Sequence, residues 1–186
     1  MAIVKLIKGT YTEEDDVRKV LDYICNVIKC EHGIYGGRNI IAYNSYEEEL
    51  IAEQFFAAQY RRRFLRRIYQ VVISFEQVDE PDLDFAYQVG QAVAGLYADY
   101  QSIFAVHEDK WYLHIHIIFN NCSIFPDKEN LTNIFDIFRI RQKVDSMIDV
   151  RLGLPKPSYS ISGEDSVKKK DIFKLSAEAC RDISCR

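Results

Sequence analysis

The sequence lacks several features that mark common classes of protein. Its 186 residues include only five cysteines, an odd number with no Cys-x-x-Cys pair, which agrees with free thiols in a reducing compartment. No apolar run approaches the roughly 20 residues that span a bilayer. The first residues turn acidic too early for a signal peptide. These absences predict a folded, cytoplasmic protein without membrane contact.

Excess positive charge is also absent. The net charge is -4, whereas a nucleic-acid-binding domain is usually basic. The segment RRRFLRR at 61–67 is the local exception. A helix predicted from about 45 to 67 would carry four of its arginines on one face: Arg62, Arg63, Arg66 and Arg67. This face is either a set of contacts to DNA phosphates or an ordinary solvated helix surface.

The periodicity of the apolar residues predicts the element order β α α β α β β α. Residues 3–7 and 68–75 have the composition of strands, and residues 101–120 contain two strands separated by a short polar stretch. Thr12 is expected to cap the first helix, and glycines 33, 36 and 37 are expected to form a loop after it. The order predicts an α+β fold, an antiparallel sheet with helices packed largely on one face.

The length is that of one domain, 1–160, followed by a short tail. The composition turns polar after about residue 160, so residues 161–186 are expected to form a polar tail that includes a weakly predicted helix.

Three of the four histidines lie close together in the segment 107–116. Because side chains alternate along a strand, His114 and His116 share one face while apolar residues occupy the other. A turn centred between residues 110 and 111 places His107 opposite His114, with Cβ atoms roughly 4.5–5.5 Å apart. His116 lies about 6.6 Å further along the same face. We therefore expect three imidazoles to converge.

Three neutral imidazoles can bind a divalent transition metal and leave coordination positions open for a substrate oxygen. Nitrogen ligands favour zinc, manganese or nickel over magnesium. The alternative is that the histidines alternate by chance on an exposed sheet face. If they bind metal, His107→Ala or His116→Ala should remove most of the metal affinity and leave the fold largely intact, since both side chains face away from the apolar side.

The His-Ile-His pair resembles the HUH motif, histidine-hydrophobic-histidine, of single-strand DNA endonucleases. More closely, the pattern H-x-D-x4-H-x-H-x3-N resembles the third motif of MOBP-class relaxases, the mobilisation nucleases of conjugative plasmids and transposons. The segments LDYICN, YGGRN, RIYQVVISF and IRQKVDSMIDVRLGLP resemble relaxase sequences as well, and together the similarities cover about residues 1–160. The histidine pattern is made by His107, Asp109, His114, His116 and Asn120.

The resemblance implies an enzyme that nicks one DNA strand at a conjugative transfer origin. A tyrosine hydroxyl attacks the scissile phosphorus, which gives a 5′-phosphotyrosine adduct and a free 3′-OH for later rejoining. The implied cofactor is Mn²⁺ or Mg²⁺, held by the three histidines. The implied partners are single-stranded or locally melted DNA and a relaxosome accessory protein.

The chain contains twelve tyrosines, and the resemblance singles out one of them as the nucleophile. Relaxases place this residue near the N-terminus, and LDYICN resembles their first motif, which indicates Tyr23. Tyr23 also lies roughly 110° from the centre of the apolar stripe of the first helix, so it should not be a core residue. Replication initiators carry the nucleophile after the histidines, where only Tyr159 is found, and Gly163 stands where they commonly have lysine. Four further tyrosines remain candidates: Tyr11, Tyr35, Tyr43 and Tyr46.

Two polar residues of the pattern have alternative interpretations. Asp109 either orients a histidine or receives the tyrosine proton, or it is a turn residue. Asn120 either binds phosphate or water on the histidine face, or it ends the strand as a turn former.

Two other functions compete with the relaxase interpretation. YLHIHII resembles the motif of histidine-triad nucleotide hydrolases and transferases, with tyrosine in place of their first histidine. A DNA-binding remnant of a relaxase without nicking activity is the third hypothesis. The histidine-triad enzyme would turn over a nucleoside phosphoramidate, whereas the remnant would bind DNA without cleaving it.

Overall fold

The computed structural model describes residues 2–26, 35–41, 48–60, 66–76, 79, 81–108 and 112–154. The predicted tail at 161–186 lies outside the described residues, so the boundary near residue 160 stays a prediction.

The described chain forms a five-stranded sheet and four helices. The strands are β1 (Ile3–Leu6), β2 (Tyr35–Arg38), β3 (Ile68–Ser74), β4 (Tyr100–His107) and β5 (His114–Ser123). The helices are α1 (Glu14–Ile24), α2 (Glu48–Gln59), α3 (Leu83–Gly95) and α4 (Ile137–Arg151). The strand order is β1-β3-β5-β4-β2, and each neighbouring pair is antiparallel. The predicted α+β class with an antiparallel sheet is confirmed.

Apolar residues cover both faces of this sheet. On one face, α3 and α4 pack on inward side chains of the central strands, among them Ile115, Ile117 and Phe119. On the other face, α1 and α2 pack on Ile68, Ile103 and Ile118. The sequence predicted that the helices pack largely on one face of the sheet. In the structure they pack on both faces. Strands that are central in a sheet offer apolar residues on both sides, and two pairs of helices cover them.

Helix α1 is fixed from two sides. Val17, Leu21 and Ile24 are fully buried against α2 and the sheet. Arg18 forms ion pairs with Glu49 and Glu53 of α2. The helix begins at Glu14, so the predicted cap at Thr12 is wrong; the N–H of Glu13 instead donates to Asp16 Oδ2 at 3.2 Å. These contacts hold the C-terminal turn of α1 beside the sheet.

Strand β2 was missed because its glycines look like loop residues. Gly36 pairs with Phe104 of β4, and a Cβ atom on Gly36 would overlap the Phe104 ring. A Cβ atom on Gly37 would crowd the carbonyl oxygen of Ser102. The glycines are needed for the close approach of an edge strand, and they do not break the structure there.

The second predicted helix is too long. Helix α2 ends at Gln59, not Arg67, and residues 61–65 lie outside the described chain. Helix α4 begins at Ile137, after a single 3₁₀ turn at Leu131–Asn133, because Asp136 caps it by accepting from Phe138 N. Within the described part of the chain, none of the helices combines the length and hydrophobicity needed to cross a membrane.

Candidate metal centre and active site

The register of β4 and β5 positions the three histidines. His107 pairs directly with His114, which confirms the predicted hairpin register, and His116 pairs with Ala105 one side-chain step along the same face. Strand β4 ends at His107 and β5 begins at His114.

The three imidazoles form a compact, buried cluster. The ring centroids are 5.2 Å apart for His107 and His114, 4.5 Å for His107 and His116, and 5.2 Å for His114 and His116. Relative exposure is 0%, 6% and 7% in chain order. One nitrogen of each ring can be chosen so that all three nitrogens lie within 4.8 Å of one another. This arrangement can hold one divalent ion.

Backbone carbonyls fix the protons on two of the rings. His107 Nε2 donates to the carbonyl oxygen of Ile24 at 2.8 Å, and His114 Nδ1 donates to that of Tyr112 at 3.1 Å. Since a carbonyl only accepts, the neutral rings carry their lone pairs on His107 Nδ1 and His114 Nε2. Such hydrogen bonds on one ring nitrogen are the usual way in which a protein orients a metal-binding histidine.

Tyr23 lies on α1 at the edge of this cluster. Its ring centroid is 6.0 Å from that of His107 and 5.4 Å from that of His116. It is 40% exposed, although its neighbours Leu21 and Ile24 are fully buried. The bond from His107 to the carbonyl of Ile24 ties the end of α1 to the cluster. A partly exposed tyrosine of α1 therefore lies beside the histidine cluster.

An open cavity of about 270 Å³ adjoins His114, His116 and Tyr23. Lys5 of β1 lines it, because Lys5 pairs with Val72 and Val72 pairs with His116, which puts all three side chains in one row. An ammonium group beside the histidines favours an anionic ligand. The remaining lining residues are Ile7, Val72, Ser74 and Tyr112.

Sequence reasoning missed Lys5 and Gln70. Gln70 is 6% exposed, and its Nε2 lies 3.3 Å from His116 Nδ1. Each is a polar residue inside an otherwise apolar strand, which is the signal that could have found them. Their proximity to the histidines depends on how β1, β3 and β5 pair, and no local pattern encodes that pairing.

Asn120 shares the histidine face of β5, and its side chain bonds to neighbouring protein groups. It is fully buried, and its amide nitrogen donates to Gln101 Oε1 at 2.8 Å and to the carbonyl of Phe55 at 3.1 Å. Its oxygen accepts from Gln59 Nε2 at 2.9 Å and from Cys122 N at 3.1 Å. These bonds join β5 to β4 and α2.

Helix α2 ends at Gln59, so the two described arginines of the predicted face, Arg66 and Arg67, do not lie on that helix. Arg66 donates to the carbonyl of Gly9 at 2.5 Å, and Arg67 donates to that of Thr12 at 2.8 Å and to Gln59 Oε1 at 2.7 Å. Both side chains therefore bind the backbone of the segment between β1 and α1. Three other predicted site residues lie outside the described chain: Arg62, Arg63 and Asp109.

The fold and the cluster together define an α+β domain in which a histidine hairpin meets a tyrosine from the first helix. Residues 17–148 match the family model of the MobA/VirD2-like relaxase nuclease domain. Because this match spans more than half of the 186 residues, the chain belongs to that relaxase family. A search of curated proteins found no match.

The chain also resembles solved structures of the MobM relaxase domain (MOBV; Mob_Pre). One of them, Mn-bound and in complex with a 22-nucleotide oriT DNA of plasmid pMV158, has 12% sequence identity and a TM-score of 0.50, over 94% of this chain and 98% of that chain. Another, with a 26-nucleotide oriT DNA, has 12% identity and a TM-score of 0.49, over 88% and 95% of the two chains. At 12% identity, the similarity to the Mn-bound MobM structure supports the assignment of the fold alone.

Proposed function

We propose that this protein is a relaxase that nicks one DNA strand at a transfer origin through attack by Tyr23. The observation that carries the proposal is the convergence of His107, His114 and His116 beside Tyr23. His114, His116 and Tyr23 also line one open cavity. Family membership supports the relaxase class. The motif pattern supports assignment to the MOBP class within the HUH endonucleases.

His107, His114 and His116 would hold the divalent ion, Mn²⁺ or Mg²⁺. The lone pairs of His107 and His114 are fixed by the carbonyls of Ile24 and Tyr112, so the donor set suits a metal. When bound there, the ion would act as a Lewis acid on a non-bridging phosphate oxygen. The Mn-bound state of the MobM relaxase domain supports this choice of cofactor.

Tyr23 supplies the nucleophile in this proposal. A bond forms between its hydroxyl oxygen and phosphorus, and the bond from phosphorus to the 3′ oxygen breaks, so the phosphodiester linkage is conserved as a 5′-phosphotyrosine. The tyrosine proton passes to a base, for which Asp109 stays the predicted candidate. The 40% exposure of Tyr23 allows a DNA strand to reach it.

The proposed substrate is single-stranded or locally melted DNA. Lys5, at the histidine cavity, would neutralise a backbone phosphate. Arg66 lines a separate open cavity of about 430 Å³ together with Thr10, Thr12 and Thr132, and we propose a second backbone contact there. Arg62 and Arg63 stay predicted contacts. The oriT DNA in the Mn-bound MobM structure supports DNA as the partner; a relaxosome accessory protein stays a prediction.

The first test is trapping of the covalent adduct. The protein is incubated with Mn²⁺ and a 3′-labelled pool of single-stranded oligonucleotides, and adducts that survive denaturing electrophoresis are recovered and sequenced. We expect an adduct with wild type and none with Tyr23→Phe. Tyr112 lines the same cavity and is the rival nucleophile, so Tyr112→Phe should retain the adduct. Loss with Tyr112→Phe and retention with Tyr23→Phe would refute the assignment, and binding without any adduct would favour a non-catalytic remnant.

A further inference from the structure

Gln70 connects the histidine cluster to a tyrosine outside it. The side chain is buried on β3, and its Nε2 lies 3.3 Å from His116 Nδ1. Its Oε1 accepts from the Tyr11 hydroxyl at 2.6 Å. Gln70 and Tyr11 are neither candidate metal ligands nor the proposed nucleophile. Together they form a hydrogen-bonded chain that ends on the ring of His116.

Tyr11 is held firmly at the far end of this chain. Its φ of 43° lies in the left-handed region, which non-glycine residues adopt only when their surroundings impose it. A Cβ atom on Gly9 would overlap the Tyr11 ring, and the N–H of Arg67 donates to the Tyr11 carbonyl at 2.8 Å. Burial also raises the pKa of Tyr11, so the hydroxyl keeps its proton at neutral pH.

The present orientation of Gln70 opposes coordination by His116 through Nε2. An amide N–H donates to Nδ1, so a neutral His116 ring must carry its proton on Nε2. If the amide turned over by 180°, Oε1 would accept from a proton on Nδ1 and the lone pair would lie on Nε2. The ring keeps one proton, which changes nitrogen by exchange with water. The Tyr11 hydroxyl suits both orientations, because a phenol can donate or accept.

We propose that Gln70, supported by Tyr11, is a positioning residue that sets the tautomer of His116 for metal binding. Because Gln70 occupies the Nδ1 side of His116, Nε2 is the nitrogen left to coordinate. The turned-over amide then acts on His116 as the carbonyls of Ile24 and Tyr112 act on the other two histidines. This inference rests on the proposed function, since it takes the three histidines as the metal site.

The experiment measures Mn²⁺ affinity by titration calorimetry for purified full-length variants. Gln70→Leu should weaken binding about 10- to 100-fold, the usual effect of losing such a support. Gln70→Glu, which only accepts, should bind at least as tightly as wild type. Tyr11→Phe should weaken binding by a smaller factor. The matched control is Tyr100→Phe, which removes a hydroxyl bonded to the Glu129 carbonyl at 2.8 Å and should leave affinity unchanged.

A second readout locates the proton directly. NMR of the Zn²⁺-loaded protein with labelled histidine should show the His116 proton on Nδ1, whereas a proton on Nε2 would overturn the proposal. If Gln70→Leu does not fold, the other two variants still test the proposal. It is overturned if Gln70→Glu binds Mn²⁺ more weakly than wild type does. It is also overturned if Tyr11→Phe changes the affinity no more than Tyr100→Phe does.

The outcomes separate this inference from the proposed function. If wild type binds Mn²⁺ and a folded Gln70→Leu binds it equally well, the role of Gln70 is refuted and the relaxase proposal stands. If wild type binds Mn²⁺ no better than His114→Ala does, both are refuted.

Discussion

At the residue scale, His107 has two roles. It is a candidate ligand, and its Nε2 also bonds the carbonyl of Ile24 at the end of α1. It is fully buried, whereas His114 bonds the carbonyl of Tyr112, which is 58% exposed. Loss of the His107 ring therefore removes a buried hydrogen bond to Ile24. At Tyr112, which is exposed, water can take the place of the lost donor.

We predict that His107→Ala loses metal affinity and also lowers the free energy of unfolding by about 1–3 kcal/mol, because a buried hydrogen bond is lost. His114→Ala should lose metal affinity with a smaller change in stability. Urea denaturation of the metal-free proteins measures the difference. Equal stability of the two variants would contradict the role of His107 as an anchor for α1.

At the scale of elements, strand β2 and helix α3 both pack against the ring of Phe104 on β4. This ring is fully buried, and Cβ atoms on Gly36 and Gly90 would both overlap it. Strand β2 and helix α3 therefore approach Phe104 at positions where only glycine leaves enough space.

We predict that Gly36→Ala destabilises the protein by about 1–3 kcal/mol, because the Phe104 ring or β2 must move. Gly95→Ala is the matched control, since nothing lies within 4 Å of its added Cβ atom; alanine there should be neutral or stabilising by up to about 1 kcal/mol. Thermal unfolding of both variants checks this. A Gly36→Ala protein as stable as wild type would show that β2 does not pack as described.

Asp82 links the start of α3 to the end of α4. Its carboxylate accepts from Phe85 N at 2.7 Å and from Arg151 Nη2 at 2.7 Å. First the Phe85 amide and then the Arg151 guanidinium lower the pKa of Asp82 from its ordinary value of 3.8. The unfolded chain therefore binds this proton more readily than the folded chain does. Ionised Asp82 stabilises the fold above pH 3.8, and the contribution is lost as the pH falls through the folded-state pKa.

We predict that Asp82→Asn is less stable than wild type at neutral pH and that the difference shrinks as the pH falls below 3.8. Urea denaturation at a series of pH values measures it. A difference that stays constant or widens in acid would contradict the assigned sign.

At the scale of the whole molecule, the sequence predicts those features of the fold and the site that depend on local periodicity. Alternation along one strand is enough to place His114 and His116 together, and a hairpin adds His107, so the cluster could be predicted. Lys5 and Gln70 could not, because they reach the cluster through the pairing of β1, β3 and β5. The end of α2 was misjudged for a related reason. Arg66 and Arg67 bond carbonyls near α1, and those tertiary contacts override helix propensity.

The central claim is that the three histidines bind one divalent ion beside Tyr23. Anomalous diffraction from crystals grown with Mn²⁺ tests it most directly. We predict a single strong peak roughly 2–2.3 Å from one nitrogen of each of His107, His114 and His116. Crystals with no peak among the three rings, or with manganese bound elsewhere and not there, would contradict the account.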